Sequence, residues 1–219
     1  MSRPPALPEP ALELWRFTAD APMTVHVPPD GCRDLIVVAP NGAAPRCLVS
    51  ALSQACETHA FAAGDQAVGV RLRPGAQFDE RALTALLRAP GRFDDDDLLG
   101  AVGAATRLDA QVDEALACLR EAPSLPLAHA RLGVSARTLE RLLALRTCRG
   151  PLWWRNLARA RRCARGLAGA TPLAALAADH GYADQAHMTR DLRRWFDAPP
   201  SRLRSMPAFL ATLDAPAYA

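Results

Sequence analysis

One pattern occurs twice, 48 residues apart, and restricts what the carboxy-terminal half of this chain can become. The first copy reads Leu125-Pro-Leu-Ala-His-Ala-Arg-Leu-Gly-Val-Ser-Ala-Arg-Thr-Leu-Glu-Arg-Leu-Leu143, and the second Leu173-Ala-Ala-Leu-Ala-Ala-Asp-His-Gly-Tyr-Ala-Asp-Gln-Ala-His-Met-Thr-Arg-Asp-Leu192. In each, a short apolar segment with helical spacing runs into a glycine, Gly133 or Gly181, and an amphipathic segment with polar and basic side chains follows. Glycine enters the left-handed backbone region at little cost, so it ends one helix and lets the next cross it steeply. Two helix-turn-helix units are expected, and the second helix of such a unit is suited to a DNA groove.

Charge divides along the chain in the same sense. Residues 1–123 hold 11 Arg against 17 Asp and Glu, a balance of −6, while residues 124–219 hold 15 Arg against 6 acids, a balance of +9. The basic part attracts a polyanion and the acidic part repels one, which makes double-stranded DNA the expected partner. There is no lysine, and the arginine and alanine usage is read as a property of a GC-rich genome without functional content. A chain of 219 residues, half of them apolar, has room for two domains. No apolar run approaches the roughly 20 residues of a membrane span, and the amino terminus lacks a signal segment, so a cytoplasmic location is expected. The six cysteines are scattered, with no pair at two-residue spacing to begin a zinc set. Free thiols are expected, with no metal and no cofactor.

Residues 12–76 suit short strands. Leu12–Phe17, Met23–Val27 and Val68–Arg73 alternate, and Leu35–Val38 is an apolar run. Pro29-Asp30-Gly31, Asn41-Gly42, Gly64-Asp65 and Pro74-Gly75 are turn sequences. A small sheet or barrel follows. From Asp79 the period becomes helical, with Leu83, Leu86 and Leu87 on one helix and Leu108, Val112, Ala115, Leu116 and Leu119 on another. The acidic run Asp94–Asp97 stands ahead of Leu98-Leu99, where capping and the helix dipole favour carboxylates over a cation site. The expected class is α+β: a β-rich domain over 1–78, a helical connector over 79–106, and an all-α domain over 107–219. In that last domain, Trp153, Leu157, Ala160, Ala164 and Leu167 form the apolar stripe of one long helix joining the two units. Arg155, Arg159 and Arg162 fall opposite the stripe and Arg161 and Arg165 on a flank, where they would project toward phosphates.

Gly181-Tyr-Ala-Asp-Gln-Ala-His-Met-Thr-Arg190, with Leu192-Arg-Arg-Trp-Phe-Asp-Ala-Pro-Pro-Ser-Arg-Leu-Arg204 after it, resembles the second helix-turn-helix of AraC-type transcriptional regulators. Gly133-Val-Ser-Ala-Arg-Thr-Leu-Glu-Arg141 is similar to the first. The resemblance implies a sequence-specific, one-component regulator, without catalysis, whose two recognition helices enter major grooves one helical turn apart. Base-contact candidates are Arg137, Thr138, Arg141, Gln185, His187 and Arg190, since arginine pairs with guanine and glutamine with adenine in that groove. Phosphate candidates are Ser135, Arg155, Arg159, Arg162 and Arg194. Leu139, Leu142, Met188 and Leu192 are expected in the core, and Ser135 and Asp184 as helix caps. The first unit departs from the family pattern: His129 stands where alanine is favoured at the helix crossing, and Ala128 where leucine is usual. A looser or shifted first unit is the expectation.

Pro28-Pro-Asp-Gly-Cys-Arg-Asp-Leu-Ile-Val37 and Gly69-Val-Arg-Leu-Arg-Pro-Gly-Ala76 resemble signatures of a β-rich domain, of uncharacterised role, that precedes AraC-type motifs. By that analogy the domain binds a small-molecule effector or mediates homodimerisation, with RNA polymerase a further partner if the protein activates. Arg33, Asp34, Arg71 and Arg73 either line an effector pocket or form a strand with outward arginines. Three other readings compete: a metal-dependent enzyme on the β-rich half, a protein-interaction module with degenerate DNA binding, and a DNA alkyl-transfer protein. The last requires four clustered cysteines, which Cys32, Cys47 and Cys56 do not supply.

Overall fold

The computed structural model describes residues 6–86 and 94–219. Contacts divide the chain into one unit of Met1–Val25, Cys32–Leu52 and His59–Ala110, and another of His26–Gly31, Ser53–Thr58 and Gln111–Ala219.

The first unit is built on an antiparallel sheet of β1 (Ala11–Thr18), β3 (Asp34–Ala39), β4 (Arg46–Val49) and β6 (Gln66–Leu72), in the order β1-β6-β3-β4. β2 (Met23–Val27) pairs with β5 (Glu57–Phe61), and the two-residue β7 (Gln77–Phe78) with β8 (Thr106–Arg107). Among the described residues these are open sheets; no barrel closes. The three alternating segments correspond to β1, β2 and β6, and the apolar run to β3. β4 and β5 escaped the reading because β4 is only four residues long, too short for the alternation of its core-packed Cys47 and Val49 to stand out, and four of the five residues of β5 are exposed.

Leu35, Val37, Val70 and Leu72 project from the sheet into a core closed by Leu83 of α1 (Glu80–Leu86) and Leu98, Leu99 and Val102 of α2 (Asp95–Ala105). The helices read from sequence as a connector thus furnish part of this core. α2 begins with a capping box: Asp94 Oδ1 accepts from the Asp97 amide at 2.9 Å, and Asp97 Oδ2 from the Asp94 amide at 3.4 Å. The acidic run is a helix start, as its position suggested. Leu87 lies outside the described residues, and Leu108 precedes α3 (Ala110–Glu121) rather than sitting in it.

Asp34 opens β3 and is buried. The Trp15 indole donates to its Oδ1 at 2.7 Å and Arg71 Nε lies 3.4 Å away, while the Asp34 amide donates to Ser50 Oγ at 2.7 Å. Burial raises the Asp34 carboxyl above its ordinary value, and Arg71 and the indole oppose that rise. Arg71 is therefore inward, against the expectation of outward arginines, and Arg33 lies over the Phe78 ring at 5.1 Å. The indole of Trp15 covers Gly69, its partner in the β1–β6 register, so closely that a Cβ at Gly69 would overlap the ring. Gly69→Ala should destabilise this unit by about 1–3 kcal/mol through overpacking, read as a lowered midpoint in chemical denaturation followed by circular dichroism.

The second unit contains α3, α4 (Leu125–Leu132), α5 (Ala136–Thr147), α6 (Pro151–Gly166), α7 (Leu173–Asp179), α8 (Gln185–Phe196), α9 (Pro200–Arg204) and α10 (Pro207–Thr212). α6 is the expected long helix, with Pro151 at its first turn, where a missing amide hydrogen is harmless. Leu157, Ala160, Ala164 and Leu167 are fully buried as the stripe required, but so are Trp154, Ala158, Arg161 and Cys163. α6 is thus enclosed on more than one side, and Trp153 is only half-buried.

Candidate nucleic-acid interface

The two repeats form the same turn. Gly133 and Gly181 have φ of 64° and 68°. The residue after each donates back to the helix before it, Val134 to the His129 carbonyl at 3.2 Å and Tyr182 to the Ala177 carbonyl at 2.9 Å. The shift expected of the first unit is therefore absent at this turn. Ala128 is fully buried at the place of Leu176 and His129 half-buried at the place of Ala177, so the larger side chain has moved to the less enclosed neighbouring position.

A difference arises one step later. Ser135 caps α5, accepting from the Thr138 amide at 3.1 Å, and Asp184 caps α8, accepting from the His187 amide at 2.6 Å. These caps stand 49 residues apart while the turn glycines stand 48 apart, so the second turn holds one more residue. Buried Leu139 and Met188, buried Leu143 and Leu192, and the left-handed Cys148 and Asp197 keep the spacing of 49. Arg141 of α5 therefore corresponds to Arg190 of α8. Leu142, expected in the core, is half-buried.

On α8, the burial of Met188, Leu192, Trp195 and Phe196 leaves Gln185, Ala186, Thr189, Arg190 and Arg193 around one shallow concavity. Gln185 and Arg190 thus come together. His187 lies apart: it is half-buried, its Nδ1 accepts from the Ala183 amide at 3.4 Å, and its ring meets Tyr182 edge-on at 5.2 Å. The equivalent positions on α5 are Ala136, Arg137, Glu140, Arg141 and Ala144, all exposed. Thr138 is exposed, but its hydroxyl is engaged with Ser135 Oγ at 2.8 Å. Sequence reasoning passed over Thr189, Arg193 and Glu140; spacing of one, four, five and eight residues from the first helical position would have found them.

The basic row of α6 serves the scaffold. Arg159 Nη2 pairs with Asp191 Oδ2 at 2.9 Å, and its guanidinium lies over the Tyr182 ring at 4.3 Å. Tyr182 Oη and Trp195 Nε1 donate to the same Asp191 carboxylate at 3.0 and 3.2 Å. Burial and that carboxylate push the Tyr182 hydroxyl well above its usual range, so it stays a donor. Arg155 donates to the Pro123 carbonyl, and burial, then the neighbouring Arg159 and Arg162, lower its pKa. Arg162 donates to the Arg120 carbonyl at 2.7 Å. Arg161, expected to project from a flank, is wholly buried, and Arg165 donates to the Leu213 carbonyl at 3.0 Å. Arg194 remains exposed beside the Trp195 ring. Among the described residues no group of His, Cys, Asp and Glu is placed to hold a metal ion, and no helix is long and apolar enough to cross a membrane.

His180 ends α7, and burial, then Arg162, lower its pKa below the usual histidine value. A histidine that resists protonation only when folded adds stability above about pH 6.5, and that contribution is lost as pH falls through the lowered folded value. Thermal stability should therefore drop between pH 7.5 and 5.5, and His180→Gln should flatten that part of the profile; an unchanged profile would contradict the assignment.

Residues 111–206 match the family model described as a helix-turn-helix domain. No curated protein matches the chain. Among solved structures, the chain is similar to the DNA-binding domain of AdpA, a global transcriptional factor in complex with target DNA, at 25% identity over 47% of this chain and 91% of that one, with a TM-score of 0.38. It is also similar to ToxT from Vibrio cholerae, at 10% identity over 93% of this chain and 98% of that one, with a TM-score of 0.46.

Proposed function

We propose that this chain, a DNA-binding transcriptional regulator with an AraC-type helix-turn-helix domain, reads two neighbouring major-groove segments with the exposed faces of α5 and α8. The observation that carries this reading is the equivalence of Arg141 and Arg190, each on an exposed helix face whose opposite side is anchored by buried residues. Each guanidinium has the donor geometry for guanine O6 and N7, Gln185 for adenine N6 and N7, and Glu140 an acceptor for cytosine N4. Arg137 and Arg193 flank these readers; Ser135 and Arg194 are assigned to phosphates. Arg155, Arg159 and Arg162 orient helices through the bonds described above, and His187 and Thr138 support their turns. Catalysis has no part in this function. The first unit, with its own core, acts as a sensor of a small molecule or as a pairing surface between copies; in an activator, RNA polymerase would be a further partner.

Selection of bound duplexes from a random pool, repeated with variants, tests the assignments. Arg190→Ala should relax choice at one position, at a cost of about 1–3 kcal/mol there, and Glu140→Ala should remove a cytosine preference from the other half-site. Arg194→Ala should weaken all sequences evenly and reduce the salt slope by about one. Even losses on every sequence from Arg190→Ala would contradict its role as a base reader.

A further inference from the structure

The exposed faces of α8 and α5 differ in a way that hydrogen-bonded base reading does not use. The concavity on α8 is lined by Gln185, Ala186, Thr189, Arg190 and Arg193. Ala186 is exposed and brings only a methyl group. The Thr189 hydroxyl donates to the Gln185 carbonyl at 2.8 Å, so its hydrogen is spent inside the helix and its methyl is the part left to meet a ligand. The stems of Gln185, Arg190 and Arg193 are aliphatic up to their polar ends and complete an apolar rim. The residues equivalent to Ala186 and Thr189 on α5 are Arg137 and Glu140, both exposed and ionic. Ala136 and Ala144 of α5 stand at the ends of its face, where α8 has Gln185 and Arg193.

We propose that the concavity of α8 receives the C5 methyl of a thymine, and that Ala186 and Thr189 thereby set a thymine preference in the half-site this helix reads. In the major groove that methyl marks thymine among the four bases, and alanine and the threonine methyl are side-chain groups suited to it. A polar group in their place would lose water without gaining a partner, whereas methyl against methyl buries apolar area. Ala186 and Arg190 stand one helical turn apart, with Cβ atoms about 5–6 Å from each other, and successive base pairs rise about 3.4 Å. The thymine therefore lies within about two base pairs of the guanine assigned to Arg190. On α5, Arg137 and Glu140 fill the same places with charges that require hydrogen-bond partners, so its half-site gains little from a thymine methyl. This inference rests on the proposed reading of bases by α8, and its test separates the two.

Deoxyuridine, which is thymidine without the methyl, replaces each thymine in turn in a duplex recovered from the random-pool selection, and the full chain is titrated against each duplex. The half-site of α8 is the one that Arg190→Ala degrades. One exchange in that half should weaken binding about fourfold, the worth of one buried methyl-sized group, and exchanges in the other half should leave affinity unchanged. Thr189→Ser keeps the bond to the Gln185 carbonyl and removes the methyl, and Ala186→Gly removes the other methyl. Each should bind the thymine duplex more weakly and bring the ratio of thymine to deoxyuridine affinity down toward one. Helix loosening by glycine weakens both duplexes alike, so the ratio reports the contact, and Thr189→Ser decides if Ala186→Gly does not fold. A half-site of α8 without an enriched thymine, equal wild-type affinity for both duplexes, or an undiminished ratio in every variant that folds overturns the proposal. Even losses on every sequence from Arg190→Ala would overturn base reading by α8 as well.

Discussion

The pairing of Arg159 with Asp191 is the constraint around which the second helix-turn-helix is organised. Side-chain exposures of 12% and 10% place both charges where water cannot replace a lost partner. Removing one member of such a pair characteristically costs about 3–5 kcal/mol, because the other is left buried and uncompensated. The Tyr182 hydroxyl and Trp195 indole occupy further acceptor sites of the carboxylate, and the Tyr182 ring lies against the guanidinium, so α6, the turn and α8 share one network. α8 presents Gln185 and Arg190 outward because Asp191, the next residue, is held inward.

This network changes how the basic charge of the carboxy-terminal half is understood. A surplus of arginine suggested a row of phosphate contacts along α6, and the row is there in sequence. The helix is enclosed on several sides, however, and an enclosed guanidinium needs acceptors inside the protein. Arg161 finds three carbonyls, Arg162 and Arg155 one each in neighbouring turns, and Arg159 a carboxylate. The five donors of arginine make it suitable for tying chain segments together as well as for meeting DNA. Exposed guanidiniums remain on α5, at Arg137 and Arg141, and on α8, at Arg190, Arg193 and Arg194.

Much of the architecture was legible because local chemistry and tertiary structure agree. The glycine turns, the Ser135 and Asp184 caps, the Asp94 capping box and the buried Leu139, Met188 and Leu192 all follow from spacing and residue type. What escaped depends on partners distant in sequence. Nothing local distinguishes Arg161 from Arg162, since burial of the former depends on residues 29, 213 and 219. β5 shows no period because it lacks a buried face. The extra residue in the second turn shifts every correspondence after it by one, so a strict repeat of 48 would pair Arg141 with Thr189, whereas the caps and buried residues align it with Arg190.

If α5 and α8 of a single chain enter adjacent major grooves, a contact-interference footprint registers both. Duplex recovered from the selection would be sparsely methylated at guanine N7, bound by the protein, separated and cleaved. The expected result is two clusters of interfering guanines on one face of the duplex, their centres about 10 base pairs apart. A single cluster would contradict this arrangement and leave one of the two helices without a reading role.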